Sequence, residues 1–197
     1  MIKHKTPFDV GLFEKDFNDI LLSLSSPKQL DVKRVSHSYA NIFVKHHHYL
    51  KRKVYIARNV SYGLYAEHYC VGVAMFGFPV WTEYPEICPP LNVNECPELI
   101  RLCTVSGLPK NSESRFLSST MKRMKKDWLE ESGVAPKCIT SFCDLAFGFN
   151  GSIYKATNFR LLRITEGRST NAGGKHGKWG GNKDTEKGRK AMYVFYY

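Results

Sequence analysis

The chain has 197 residues, a formal net charge of +11 from 29 Lys plus Arg against 18 Asp plus Glu, and 43% hydrophobic residues with 12 Phe and 11 Tyr. That apolar content builds a core and excludes a disordered basic tail that merely coats an anion. The length sets the expectation of one domain over residues 1–197, and the cationic surplus points to an anionic partner, a phosphate backbone before an acidic membrane surface.

Phe13 to Leu24 places Phe13, Phe17, Ile20, Leu21 and Leu24 at helical spacing, and Ser25-Ser26-Pro27 stops the helix. Leu30 to Ser36 alternates like a half-buried strand. Ser36 or Ser38 then caps a short helix through Tyr39, Ile42 and Phe43 that runs into His46-His47-His48-Tyr49. Two β-rich runs from Tyr62 to Phe78 flank His68-Tyr69 as a hairpin whose outer strand ends at Pro79. The longest apolar run, Tyr69 to Trp81, holds two Gly and a Pro and is too short for the roughly 20 residues a membrane span needs. The basic N-terminus leads into charged residues and not into an apolar stretch with a cleavage site, so a cytoplasmic protein without membrane contact is expected. The six cysteines form no C-x-x-C pair and are expected as free thiols, with Cys70, Cys103 and Cys143 in the core.

Tyr84 to Pro97 carries four prolines and reads as a loop. Glu98 to Val105 reads as a buried strand and SGLPKN as a turn. Asn111 or Ser112 caps the strongest helix, whose apolar stripe is Phe116, Leu117, Met121, Met124, Trp128 and Leu129 and which Gly133 and Pro136 end. Cys138 to Leu145 is a strand, Gly148 to Asn158 a short helix, Arg160 to Ile164 a strand and Ala191 to Tyr197 the last strand. Alternation of this kind after a meander indicates α/β or α+β with a mixed sheet. Residues 167–189 form a basic Gly/Lys-rich loop. From Lys155 to Lys190 ten Lys or Arg face three acids, a local charge of +7, with Trp179 inside it.

Five groups of residues could carry chemistry. Imidazole serves as metal ligand and as base, but neighbours on a helix point about 100° apart, so one or two of His46, His47 and His48 at most can share a site with Tyr49. Asn111-Ser112-Glu113-Ser114 opens a helix, where N–H groups and the helix dipole favour phosphate; plain capping explains it equally, and Leu108-Pro109 stands where a Gly-x-Gly/Ala loop would hold a coenzyme A pyrophosphate. Asp144 ends a strand, facing a crevice or capping the next turn, with Tyr154 beyond it. Glu98 and Arg101 read as a functional pair or as an ordinary cross-strand pair. The basic loop reads as solvated, or as a nucleic-acid contact through Lys155, Arg168, Lys175, Lys178, Trp179, Lys183 and Lys187, where aromatic stacking and phosphate neutralisation act together.

Taken in order, His46-His47-His48-Tyr49, Tyr62-Gly63-Leu64-Tyr65, Val71 to Gly77, Glu98 to Leu102, Asn111 to Ser114, Ser141-Phe142-Cys143-Asp144 and Gly151 to Phe159 resemble the phage Mom family across about Asn41 to Arg163. The resemblance implies a single domain with a GNAT-like central mixed sheet flanked by helices, acting in the host cytoplasm. It implies an enzyme that converts adenine in double-stranded DNA to an N6-carbamoylmethyl (acetamido) derivative, which protects phage DNA from restriction. Carried over by position, it assigns catalysis to His48, Tyr49, Ser114, Asp144 and Tyr154. His48, Asp144 and Tyr49, with His46 as a further candidate, would suit iron. Alternatively His48 is a base while Asn111, Ser112 and Ser114 hold acetyl-CoA or a related donor. The target base would leave the stack, with Tyr62, Tyr65, Phe147, Phe149 and Tyr154 as candidate stacking surfaces. A coenzyme A-dependent acetyltransferase on another amine and a non-enzymatic DNA-binding counter-defence protein are the other readings.

Overall fold

The computed structural model describes residues 14–56, 58–79, 93–165 and 188–197. In chain order its elements are α1 (Glu14–Ser23), β1 (Leu30–Val35), α2 (His37–His47), β2 (Asn59–Ala66), β3 (Tyr69–Gly77), β4 (Glu98–Thr104), α3 (Ser112–Ser132), β5 (Cys138–Asp144), α4 (Ser152–Ala156), β6 (Arg160–Thr165) and β7 (Lys190–Tyr196). The strands form one sheet ordered β1-β2-β3-β4-β5-β7-β6, antiparallel except for β4 beside β5. The mixed α+β class read from the sequence is the observed one.

β3 is not the outer strand of its hairpin. It lies between β2 and β4, and both of its faces are covered. Cys70, Val73 and Met75 face one core cluster with Phe43 and Val44 of α2, whereas Val71, Ala74 and Phe76 face another with Phe116, Leu117, Met121, Met124 and Trp128 of α3. A strand buried on both sides has no polar face to show, which is why this stretch reads as one apolar run and not as an alternation. The hairpin turn falls on Glu67 and His68, and Tyr69 already belongs to β3.

Three more readings shift. Leu129 is exposed and does not belong to the buried stripe of α3. The helix expected over Gly148–Asn158 shortens to α4, because Gly148 and Gly151 both adopt positive φ and break the chain into a 3-10 turn at Leu145–Phe147 and a separate short helix. Asn111 does not cap α3 with its side chain: it sits in the left-handed region, and Ser112 is already helical. The N-terminal end of α2 is as expected, with the Ser36 hydroxyl accepting the Tyr39 N–H. Cys70, Cys103 and Cys143 are buried free thiols, as expected of core positions.

The parallel seam positions everything that follows. β4 and β5 are in register at Glu98↔Thr140 and Leu99↔Ser141 and at no further position. Beyond the seam β4 runs on to Thr104 held by β3, and β5 runs on to Asp144 held by β7, so the two strands part into a wedge open at their C-terminal ends. No helix among the described residues is long and apolar enough to cross a membrane.

Candidate active site at the parted strands

Helix α2 ends between His47 and His48, and that single backbone change separates three adjacent imidazoles. His46 and His47 stay on the exposed helix surface, while His48, in an extended conformation, turns its ring into a buried position. The Leu50 N–H donates to His48 Nδ1 at 3.1 Å. Because Nδ1 accepts, a neutral ring carries its proton on Nε2 and presents a donor there. Burial, and then the nearby Arg101 guanidinium, lower the His48 pKa to about 4. The ring is therefore neutral at neutral pH, and the base role read for it from the sequence would require a tautomer exchange that gives up the Leu50 bond.

Tyr49 stacks on His48 at 4.3 Å and tilts against Phe147 at 4.4 Å and Phe149 at 5.4 Å. Its phenol is pushed up by burial first and by the Asp144 carboxylate next, while Arg101 opposes both. Asp144, at the end of β5, accepts the Ala146 N–H on Oδ1 and so caps the following turn while still facing the phenol of Tyr49. The capping reading is thus the observed one, and the carboxylate lies beside Tyr49 while it caps.

Tyr154 of α4 lies against the seam. The Ser141 hydroxyl is 2.9 Å from the Tyr154 hydroxyl and 2.9 Å from the Leu99 carbonyl oxygen; with one proton, it donates to one of them at a time. Burial raises the Tyr154 pKa well above the ordinary phenol value, and the ring is fixed by stacking on Tyr193 at 4.8 Å and edge-on against Phe159 at 5.5 Å. A side chain at position 151 would collide with the Tyr193 hydroxyl, so Gly151 permits this close approach as well as the positive φ.

Arg101 is the residue that sequence reasoning noticed and placed wrongly. Its register partner across β3–β4 is Met75, and that of Glu98 is Gly77, so no acid–base pair spans those strands. Its Nη1 donates to the Ile100 carbonyl at 2.7 Å, and its Nε is buried without a hydrogen-bond partner. Burial lowers its pKa, countered by Tyr49 and Glu98. A partly desolvated guanidinium with an unused donor beside Tyr49 and His48 is equipped to take an anionic or carbonyl oxygen. An Arg in the middle of an otherwise apolar strand was the signal for it.

The start of α3 stands beside the end of β4, tied by the Thr104 hydroxyl donating to Glu113 at 3.0 Å. Ser112 donates to the Pro109 carbonyl at 2.6 Å and Ser114 to that of Asn111 at 3.1 Å, so both hydroxyl protons are engaged by their own turn. The Ser112 N–H donates to the Pro109 carbonyl at 3.1 Å, and the N–H groups that follow it in the first turn are what this end offers a phosphate.

The iron expectation finds no ligand set. Among the described residues no three of His, Cys, Asp and Glu converge as a metal site. The His48 Nδ1 lone pair is taken by the Leu50 N–H, and the upward shift of the Tyr49 phenol disfavours the phenolate that would ligate iron. Of the stacking candidates, Tyr62 and Tyr65 are 0% exposed core residues and Tyr154 is locked on Tyr193, whereas Phe147 and Phe149 are 49% and 48% exposed. Lys155 is exposed on α4. Arg168, Lys175, Lys178, Trp179, Lys183 and Lys187 lie outside the described residues.

Comparison with known proteins adds the following. The model of the Mom protein family matches residues 29–192. A search of the curated proteins finds no match. Similar solved structures include a GNAT family acetyltransferase from Elizabethkingia anophelis with acetyl-CoA bound (8% identity, 86% of this chain and 99% of that one, TM-score 0.55). An IAA acetyltransferase from Bacillus cereus is similar at 10% identity, over 85% and 99% of the two chains, with a TM-score of 0.54. The ribosomal-protein-S18-alanine N-acetyltransferase from Escherichia coli follows at 8% identity, 85% and 93% coverage and a TM-score of 0.54. At such identities the likeness shows the fold, which is that of the GNAT acetyltransferases.

Proposed function

We propose that this chain, which belongs to the Mom protein family, is a transferase that modifies adenine in double-stranded DNA, converting its N6 amine to a carbamoylmethyl derivative and so shielding phage DNA from restriction in the host cytoplasm. The observation that carries the reading is the convergence of Arg101, His48, Tyr49, Asp144 and Tyr154 from four different elements on the wedge of a GNAT-type sheet.

The chemistry follows from what these groups can hold. The adenine exocyclic amine is a poor nucleophile because its lone pair is delocalised into the ring. Forming a bond there removes one proton from nitrogen, and the departing group takes one up. Asp144 is the acceptor for the first proton. Tyr154, whose phenol stays protonated through burial, is the donor for the second, and Ser141 realigns as that proton leaves. Arg101 and the Nε2–H of His48 supply positive charge and a donor where negative charge develops on oxygen. Phe147 and Phe149, near-parallel at 30° with centroids 6.5 Å apart, offer faces for an unstacked base.

For the donor, the wedge and the first turn of α3 suit a coenzyme A thioester, held by the backbone of β4 and β5 and by the N–H groups beside Ser112 and Ser114. A thioester supplies an activated carbonyl carbon, and attack by N6 releases coenzyme A as the thiol and leaves an N6-acyl group. The N6–CH2 bond of a carbamoylmethyl product requires a donor activated at its methylene carbon, with the same two proton transfers. The second reading, coenzyme A-dependent acetylation of another amine, is favoured by the same wedge and by the acetyl-CoA bound in the Elizabethkingia anophelis structure.

The test is co-expression with a plasmid followed by mass spectrometry of its nucleosides. A mass-shifted deoxyadenosine that disappears in Asp144→Asn and Tyr154→Phe is expected. Unaltered nucleosides beside turnover of acetyl-CoA on other amines would leave the second reading standing.

A further inference from the structure

The connection from α2 to β2 is short, exposed and cationic, yet it is fixed at both ends. At its start the Lys51 N–H donates to the His48 carbonyl at 2.8 Å. At its end the buried Asn41 amide makes two hydrogen bonds to Val54, its nitrogen donating to the carbonyl at 2.9 Å and its oxygen accepting the N–H at 2.7 Å, while His37 Nε2 lies 2.7 Å from the same carbonyl. Burying an amide costs free energy unless it is satisfied, and here both halves are spent on one backbone unit. Between these pins Lys51, Arg52 and Lys53 are exposed, and Tyr55 just beyond is 82% exposed. None of the three cations has an acidic partner within 4.0 Å among the described residues, whereas Arg123 and Lys126 on α3 pair with Asp127 and Glu130. From residue 32 to residue 66 the sequence holds seven Lys or Arg and no Asp or Glu, a surplus equal to the +7 of residues 155–190. The strap leaves directly from His48 and Tyr49, and Arg52 lies within electrostatic reach of Arg101.

We propose that the strap Leu50–Ile56 is the phosphate-tracking surface of the site, with Lys51, Arg52 and Lys53 holding the DNA backbone next to the nucleotide that enters between the parted strands. A pinned loop loses little freedom on binding, so each cation contributes more than it would on a loose tail. This rests on the DNA reading given above. Three exposed cations followed by one exposed tyrosine suit a nucleic-acid strand, and an acidic protein surface would not need a tyrosine presented beside the cations.

The experiment measures the salt dependence of binding to a labelled DNA duplex by fluorescence anisotropy for three proteins: wild type, the triple variant Lys51→Gln, Arg52→Gln, Lys53→Gln, and the quadruple variant Lys175→Gln, Lys178→Gln, Lys183→Gln, Lys187→Gln. Each lost phosphate contact flattens the plot of log K against log salt by about 0.9, so the strap variant is expected to lose about 2 to 3 from its slope. An unchanged slope in the strap variant, with wild type binding steeply, overturns the strap and leaves the DNA reading intact. Wild type that binds DNA with no salt dependence overturns both. Circular dichroism of the strap variant is expected to match wild type, since all three side chains are exposed.

Discussion

Two helix ends border the wedge, and they are built in opposite ways. At the start of α3 the serine hydroxyls donate to carbonyls of their own turn and the Ser112 N–H to the Pro109 carbonyl, so the side chains are consumed locally and what remains to offer are the next main-chain N–H groups of the turn. At the end of α2 the His48 N–H and carbonyl are both bonded to the main chain, and the side chains of His48 and Tyr49 meet Arg101, Asp144, Phe147 and Phe149 from other elements. The first end suits binding by main chain, the second chemistry by side chain. A run of polar residues at a helix boundary does not by itself distinguish the two.

The contrast breaks most visibly in activity. Tyr154→Phe removes the proton donor at the seam and is expected to lower modified deoxyadenosine at least about 100-fold, within the range for losing a positioned acid. Ser114→Ala, which removes only a bond internal to the α3 turn, should stay within about tenfold. Equal losses in the nucleoside assay would erase the distinction.

Stability gives the next effect. Asn41→Leu leaves the Val54 N–H without a partner and the Val54 carbonyl with His37 alone, and is expected to cost about 1–3 kcal/mol in urea unfolding, against under about 1 kcal/mol for Ser114→Ala. pH sharpens the comparison further. The folded His48 pKa lies below its unfolded value, so the unfolded chain binds the proton more readily. Stability from this group is complete above about pH 6.5 and falls as pH drops toward 4. His48→Gln should flatten that part of the profile, and an unchanged slope between pH 7 and 4 would contradict the buried neutral ring. The smallest effect is electrostatic: Arg101→Met removes the second cause of the His48 shift, so the ring titrates higher than in wild type in an NMR titration but still below an exposed histidine, because burial remains.

The sequence carried most of the fold. Periodicity located α1, α3 and the strands, since those patterns come from the core each element buries. It misplaced β3 as an outer strand because hydrophobicity records burial, and burial on two faces does not say which neighbours provide it. Leu129 was drawn into the α3 stripe by spacing alone, although its side of the helix faces solvent. His48, Tyr49, Asp144 and Tyr154 were legible through resemblance, and the structure brings them together. The direction of the His48 proton was not legible, because it depends on the Leu50 N–H, a main-chain group that composition cannot show. Arg101 was paired with Glu98 as a cross-strand couple, whereas the groups that act on it include Tyr49 and Arg52 from the segment after α2. The strap escaped because attention went to the densest run of lysines and glycines near the C-terminal end, while a wholly acid-free stretch earlier in the chain went uncounted.

The seam between β4 and β5 divides the sheet. Each strand is clamped into its own half, β4 by β3 and β5 by β7, and two register positions join the halves. Beneath the gap the packing does not divide: one buried cluster runs from Val60 and Phe76 through Phe116, Leu117 and Trp128 of α3 to Ile139 and Tyr193. The parted edges therefore leave main-chain groups of β4 and β5 open to a ligand while the core under them stays continuous, and Tyr154 sits at the closed end of that gap through Ser141.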